Sequence, residues 1–73
     1  MERLLRYSNE HDRVIRLMLM DEEGNLSQVN ARILRYDAET VDFITTRSPR
    51  TVTVPRKHIL AIDFRKGDDG QVV

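Results

Sequence analysis

The side chains best suited to chemistry in this 73-residue chain are basic, and they cluster between residues 47 and 58. They are Arg47, Arg50, Arg56, Lys57 and His58. Arg47 and Arg50 flank Ser48-Pro49, which places two guanidinium groups on one loop, and guanidinium groups bind phosphate oxygens through paired hydrogen bonds. The triplet after Pro55 adds positive charge at the corner between two strands. This pattern predicts contact with an anion or a nucleic acid, and the alternative is a merely solvated surface.

Other kinds of chemistry find little support in the sequence. The chain has no cysteine, which excludes disulfides and thiolate metal sites and fits a reducing compartment. His11 and His58 belong to different elements, so a zinc site is not expected. The acidic run at 21–23 is ordinary for a turn, and the chain has no nucleophile elbow or phosphate-binding glycine loop. We therefore predict a non-enzyme without catalytic residues, metal or cofactor.

The charges are balanced overall but unevenly distributed. Residues 1–42 hold six basic and nine acidic side chains, a net charge of −3. Residues 43–66 hold six basic side chains and Asp63, a net charge of +5. Such a dipolar chain can bind an anion locally or stack head to tail on a copy of itself. Its overall neutrality argues against tight, non-specific coating of nucleic acid.

Short elements separated by turns must position these side chains. Leu4, Leu5 and Ser8 share one face of a helix that we predict over residues 2–9, and Ser8-Asn9 should end it. Ser48-Pro49 is predicted to break the chain before the fourth strand. Apolar and alternating runs predict strands over residues 14–20, 26–36, 41–46, 51–54 and 59–64.

The apolar phase of the strands predicts how they fold together. The phase changes between Ile33 and Leu34, which indicates a bulge or a strong bend in the second strand. Phe43 and Ile62 are expected to point inward. Five short strands with tight turns bury their faces best in a small barrel with meander order. We predict one domain over residues 1–66 and a flexible tail over residues 67–73.

Domains as small as this one usually need a further source of stability. A domain of this length buries only about 60% of the surface of its unfolded chain, so we expect it to associate with copies of itself. The outer face of the strands carries Met18, Met20 and Ile44, which predict an apolar interface with a copy or with a partner protein. The alternative is that Leu4 and Leu5 of the helix cover this face.

The location of the protein is predicted from what the sequence does not contain. No run approaches the 18–20 apolar residues, roughly, that cross a membrane. The first residues, MERLLRYSNEHDR, include acids and lack the apolar core of a signal peptide. We therefore expect a cytoplasmic protein that has no membrane partner.

Three features in a fixed order carry a family resemblance. A glycine turn at Gly24 is followed by Tyr36-Asp37 at the end of the long second strand, and then by Lys57-His58 before the last strand. Ile59 and Ile62 add an apolar spacing after that pair. In these features the chain resembles the Sm-like family, and most closely its bacterial Hfq branch, over about residues 4–64.

The resemblance implies a mainly β, five-stranded Sm/SH3-like barrel with a short N-terminal helix. It also implies a ring of copies in which Arg56, Lys57 and His58 surround a central pore and grip uridine-rich RNA. The chain departs from the family at 38–40, where an Asn is usual, and at Arg56, where the Hfq motif has Tyr. Asn30 or Ala31 stands where the second strand of the family carries a glycine.

Two looser resemblances point to other roles. Val54-Pro55, Ile59 and Ile62-Asp63 are similar to the closing stretch of YolD-like proteins, which implies a regulatory subunit that docks on a partner enzyme. WYL-type sensor domains share the barrel and use Arg side chains for an anionic ligand, although this chain has no Trp.

Overall fold

The computed structural model describes residues 2–67 and contains one helix and five strands within that range. The predicted tail falls almost entirely on residues 68–73, which lie outside the described residues. The elements in chain order are α1 (Glu2–His11), β1 (Val14–Met20), β2 (Leu26–Tyr36), β3 (Thr40–Thr45), β4 (Ser48–Pro55), a 3₁₀ turn (Arg56–His58, the basic turn) and β5 (Ile59–Phe64).

The strands run antiparallel in one sheet of order β4-β3-β2-β1-β5. The predicted meander is therefore correct for β1 to β4 and wrong for β5, which pairs with β1 instead of β4. Within residues 2–67 no ladder joins β4 to β5, so both are edge strands of an open sheet. The fold is thus mainly β, with one N-terminal helix.

The link between β4 and β5 forces the sheet to curl. In a flat five-stranded sheet the two edge strands would lie about 19 Å apart, at about 4.8 Å per strand. Only the three residues of the basic turn join Pro55 to Ile59, and these four chain steps span at most about 14 Å. The two edges must therefore approach each other where the basic turn lies.

The predicted start of β4 was wrong. Ser48-Pro49 does not break the chain, because β4 already begins at Ser48 and continues through Pro49. An edge strand tolerates proline, since the missing N–H on its outer side needs no partner within the sheet. The longer strand leaves only residues 46–47 as the turn between β3 and β4.

The predicted bulge in β2 lies at Leu34. Ile33 pairs with Phe43 and Arg35 with Asp42, so Leu34 is the extra residue of the ladder. Because of this extra residue, the next side chain after Ile33 that packs against the core is that of Tyr36, and Leu34 is 41% exposed. The bulge therefore explains the change of apolar phase that the sequence shows.

Helix α1 docks on this bulge through polar contacts. The buried Ser8 hydroxyl donates to the carbonyl of Arg13 at 2.6 Å and accepts the N–H of Ile33 at 2.9 Å. Asn9 Nδ2 donates to the carbonyl of Leu34 at 2.9 Å. Ser8-Asn9 thus anchors the helix, which ends two residues later than predicted, at His11, before Asp12 takes a φ of 56°.

The core lies on the concave face of the sheet, beneath α1. Phe43 is 1% exposed, as predicted, whereas Ile62 is only half-buried against the same cluster. The buried apolar residues are Leu5, Ile15, Leu17, Ala31, Ile33, Val41, Phe43 and Ile59. The helix therefore covers the concave face through Leu5 and not the outer face that carries the methionines.

Candidate functional site

The basic residues of segment 47–58 lie at the two ends of β4. Arg47 occupies the turn between β3 and β4, and Arg50 is the third residue of the strand. The basic turn follows the other end of β4. About 17 Å of strand separates Arg50 from Pro55, at about 3.3 Å per residue. The structure therefore places the five predicted side chains along one edge of the sheet and does not gather them at one corner.

Arg56 is held by other parts of the protein. Its guanidinium donates to Glu2 Oε1 at 2.9 Å and to the carbonyl of Asp37 at 2.8 Å. Its backbone N–H donates to the carbonyl of Glu39 at 2.9 Å, and its side chain is only 21% exposed. Arg56 thus joins the start of α1 to the turn at 37–40, and its charge is largely used within the fold.

Three other cations of the segment are accessible. Arg47, Arg50 and Lys57 are exposed, and none of them has an ion-pair partner within residues 2–67. Residues 43–62 contain no Asp or Glu, so no carboxylate of this segment offsets their charge. The positive electrostatic potential of these three cations favours the binding of an anion along the β4 edge.

His58 faces a different environment from its neighbour Lys57. It is half-buried and lines an open cavity of about 200 Å³ together with Leu19, Met20 and Val54. Asp21 and Asn25 from the turn between β1 and β2 also line it. His58 therefore borders a cavity that has a mainly apolar lining and the carboxylate of Asp21 at its rim, whereas Lys57 is exposed to solvent.

The three residues predicted as an interface do not form one patch. Met18 lies between Gln28 of β2 and Ala61 of β5, and Met20 pairs with Leu26. Ile44 faces Arg32 near the other end of the sheet. Met20 and Leu26 are 37% and 63% exposed. Met20 is the exposed member of the three predicted residues, and Leu26, its exposed neighbour, was not predicted. We call these two residues the Met20–Leu26 pair.

A groove of about 330 Å³ lies beside Arg47 on the outer face of the sheet, and we call it the hairpin groove. Arg47 and Ile44 were predicted from the sequence as site residues, whereas their neighbours Val14 and Arg32 in this groove were not. Only the cross-strand register, Val14 to Arg32 to Ile44, brings those neighbours together. The groove is lined by Val14, Arg32, Ile44, Thr45, Thr46, Arg47, Ser48 and Pro49.

Arg32 lines this groove, and an ion pair with Asp12 offsets part of its positive charge. Its Nε lies 3.1 Å from Asp12 Oδ1, but the buried Nε–H makes no hydrogen bond within residues 2–67. The side chain is 40% exposed, and Asp12 is 80% exposed. The pair is therefore a weak, solvated ion pair that leaves the terminal nitrogens of Arg32 available.

The carboxylates of Asp21 and Asp37, in two of the turns, accept hydrogen bonds from backbone N–H groups. Asp21 accepts the N–H groups of Glu23 and Asn25, both at 2.9 Å, and these hydrogen bonds, led by that from Asn25, lower its pKa. Hydrogen bonds from the N–H groups of Thr40 and Glu39 likewise lower the pKa of Asp37. Among the described residues, no cluster of His, Cys, Asp or Glu could hold a metal ion.

Asp42 links three strands on the outer face. It accepts the hydroxyl of Thr53 at 2.7 Å and the guanidinium of Arg35 at 2.9 Å. The bond from Thr53, followed by that from Arg35, lowers the pKa of Asp42. These bonds tie β2, β3 and β4 together beneath the middle of the basic edge.

Two further findings concern the chain as a whole. The ten-residue helix α1 is too short and too polar to cross a membrane, and residues 2–67 contain no other α-helix. Comparisons with protein-family models, curated proteins and solved structures found no match. The geometry of the described residues is therefore the basis for assigning a function.

Proposed function

We propose that this protein is a non-enzymatic binding module that contacts RNA, or another extended anionic ligand, through the edge strand β4. The observation that carries the proposal is the row of exposed cations, Arg47, Arg50 and Lys57, which have no ion-pair partner within residues 2–67. Arg56 contributes less, because Glu2 already pairs with it. The module requires no metal or cofactor for this role, and we place it in the cytoplasm.

The spacing of the cations favours an extended ligand over a small ion. Arg50 and Lys57 are seven residues apart, with most of β4 between them, so one small anion cannot contact both. A single-stranded nucleic acid presents phosphates along its whole length and can follow such an edge. Segment 47–58 has no Phe, Tyr or Trp, and its imidazole, that of His58, is half-buried, so the segment offers little surface on which bases can stack. We therefore expect binding through the backbone, with little dependence on sequence.

We also propose that the sheet forms an Sm/SH3-like barrel and that copies of the chain associate. The short link between β4 and β5 supports the barrel, since it brings the two edges together at one end. Both edges are unpaired within residues 2–67, so β4 of one copy can pair with β5 of the next. Such a contact joins two different surfaces of neighbouring copies. It generates a closed ring when the rotation from each copy to the next adds up to a full turn. Pro49 and Pro55, which have no N–H to donate, leave residues 50–54 for this pairing.

Oligonucleotide binding at several salt concentrations tests the nucleic-acid proposal. The probe is a labelled single-stranded RNA of mixed sequence. We expect Arg50→Ser with Lys57→Ser to weaken binding and to reduce the slope of log affinity against log salt by about 1.4, because each phosphate contact on a single strand contributes about 0.7. The matched control, Arg16→Ser with Arg35→Ser, removes the same charge from residues paired with Asp63 and Asp42.

The control variant should keep the parental salt slope. Equal losses in the two double variants would show a general charge effect and would contradict a site on β4. A parent protein that binds no RNA even at low salt would remove the proposal altogether.

A second candidate function is docking on a partner protein, as a regulatory subunit. The observation that favours it is the Met20–Leu26 pair, which exposes two large apolar side chains next to each other on the outer face. Apolar surface of this kind typically marks an interface, and methionine adapts to irregular partners. This interface is independent of the basic edge and hardly responds to salt.

Solution mass tests whether the same pair holds copies together. The parent should exceed the 8.6 kDa of one chain in light scattering at high micromolar concentration. Met20→Ser with Leu26→Ser should lower that mass if the pair forms the contact, whereas edge pairing leaves it unchanged. A parent that stays monomeric contradicts self-association by either route.

A further inference from the structure

We propose that the hairpin groove is a second binding site, specific for a phosphate monoester that carries a small apolar group. The groove lies on the outer face of the sheet, beside the middle of β2, where β1 begins and β3 ends near the turn at 46–47. Its volume of about 330 Å³ falls in the range of sites for small organic ligands. Of the three exposed cations proposed to bind RNA, Arg47 alone lines the groove.

The floor of the groove is apolar. Val14 and Ile44 each pair with Arg32 across the ladder and therefore lie on either side of its aliphatic stem, on the same face of the sheet. Pro49 adds a third apolar side chain to the lining. These side chains are suited to the carbon skeleton of a ligand and give no reason for a bare inorganic ion to be preferred.

The rim supplies hydrogen-bond donors. Arg47 has no ion-pair partner within residues 2–67, and the terminal nitrogens of Arg32 make no hydrogen bond within the same range. The Ser48 oxygen accepts the N–H of Arg50 at 3.3 Å, which leaves its O–H free to donate. Thr46 of the turn also lines the groove and adds a further hydroxyl. A phosphate group, with three terminal oxygens, can use this many donors better than a carboxylate with two.

The charge of the groove also favours a phosphate. Among the residues that the structure describes, the lining contains two guanidinium groups and no carboxylate. Asp12 pairs with Arg32 at 3.1 Å and offsets part of one charge, so Arg47 supplies most of the net attraction. Removing the charge of Asp12 should therefore strengthen binding. Asn is suited to this position because it tolerates the left-handed backbone that Asp12 adopts.

Nuclear magnetic resonance titration of the ¹⁵N-labelled protein tests the proposal with phenyl phosphate as the probe. Inorganic phosphate and phenol serve as the anion-only and apolar-only probes. We expect saturable shifts of the amides of Thr46, Arg47 and Ser48, with phenyl phosphate binding more tightly than either of the other two. Arg47→Gln should weaken phenyl phosphate by about tenfold, the scale of one lost charge-assisted hydrogen bond.

Two further variants separate the anionic and apolar parts of the site. Ile44→Thr should weaken phenyl phosphate by about threefold, as expected for lost apolar contact, and leave inorganic phosphate unchanged. Asp12→Asn should strengthen both by about twofold. Arg35→Gln is the control, because Arg35 is exposed and paired with Asp42 away from the groove, and it should bind like the parent.

The outcomes distinguish this site from the RNA-binding edge. Arg50→Ser with Lys57→Ser should leave phenyl phosphate binding unchanged, and Ile44→Thr should leave RNA binding unchanged. Absence of saturable shifts with phenyl phosphate would overturn the proposal, as would equal affinity of the parent and Arg47→Gln. Equal affinity for phenyl phosphate and inorganic phosphate would also overturn it, because the apolar floor would then contribute nothing.

Discussion

At one end of β4 the guanidinium of Arg47 is exposed and has no ion-pair partner within residues 2–67. At the other end the guanidinium of Arg56 is 21% exposed and binds both Glu2 and the carbonyl of Asp37. The two residues have the same side chain and lie in the same basic segment. They differ because α1 brings the carboxylate of Glu2 to Arg56, whereas no carboxylate of residues 2–67 pairs with Arg47.

This difference shows that a cluster of cations in a sequence is not yet a site. The partner of Arg56 is 54 residues away along the chain, so no local pattern could reveal it. The same comparison assigns different roles to the two ends of β4. The Arg47 end can serve a ligand, while the Arg56 end mainly joins α1 to the sheet.

The largest expected effect is the loss of stability when a core side chain next to the middle of β4 is truncated. Phe43 pairs with Val52 in the middle of β4 and is 1% exposed, so Phe43→Ala should lower the free energy of unfolding by about 3–5 kcal/mol. Ile62 is only half-buried, so Ile62→Ala should cost about half as much. Urea denaturation measures both values. A smaller loss for Phe43→Ala than for Ile62→Ala would contradict the burial that the structure shows.

Much of the fold was predictable from local patterns. The bounds of β1, β2 and β5 and the bulge at Leu34 follow from apolar alternation and its change of phase. Pairing of β5 with β1 and the continuation of β4 through Pro49 were not predictable, because both depend on which strands become edges. Of the site, the exposed cations could be named from sequence. The roles of Arg56 and Arg32 could not, since Glu2 and Asp12 reach them only through the tertiary fold.

An intermediate effect tests the comparison between the two arginines directly. Arg56→Ala should lower the free energy of unfolding by about 1 kcal/mol, because it removes a half-exposed ion pair and a charge-assisted hydrogen bond to the carbonyl of Asp37. Arg47→Ala should change it by no more than about 0.5 kcal/mol. Thermal or urea denaturation measures both.

A double-mutant cycle with Glu2→Gln assigns the loss at Arg56 to its partner. The coupling between Arg56→Ala and Glu2→Gln should be about 0.5 kcal/mol, and the coupling between Arg47→Ala and Glu2→Gln should be zero within error. If the two arginine variants were equally stable, Arg56 would belong with the exposed cations, and the distinction between the ends of β4 would be lost.

The smallest effect lies between the two ends, where Asp42 joins Arg35 to Thr53. Hydrogen bonds from Thr53 and then Arg35 hold the pKa of Asp42 below its ordinary 3.8, so the unfolded chain binds a proton at this group more readily than the folded chain. The stability that the charged Asp42 contributes is therefore fully present above pH 3.8 and is lost as the pH falls through the lower folded pKa.

Asp42→Asn keeps an oxygen that can accept the Thr53 hydroxyl but removes the charge. The difference in free energy of unfolding between parent and variant should be constant near neutral pH and should shrink as the pH falls below 3.8. Thr53→Val removes the shortest of these bonds, so its destabilising effect should also shrink over the same pH range. A difference that stays constant down to the lowest accessible pH would mean that the charge of Asp42 does not stabilise β4, and that the middle of the edge is held by backbone pairing alone.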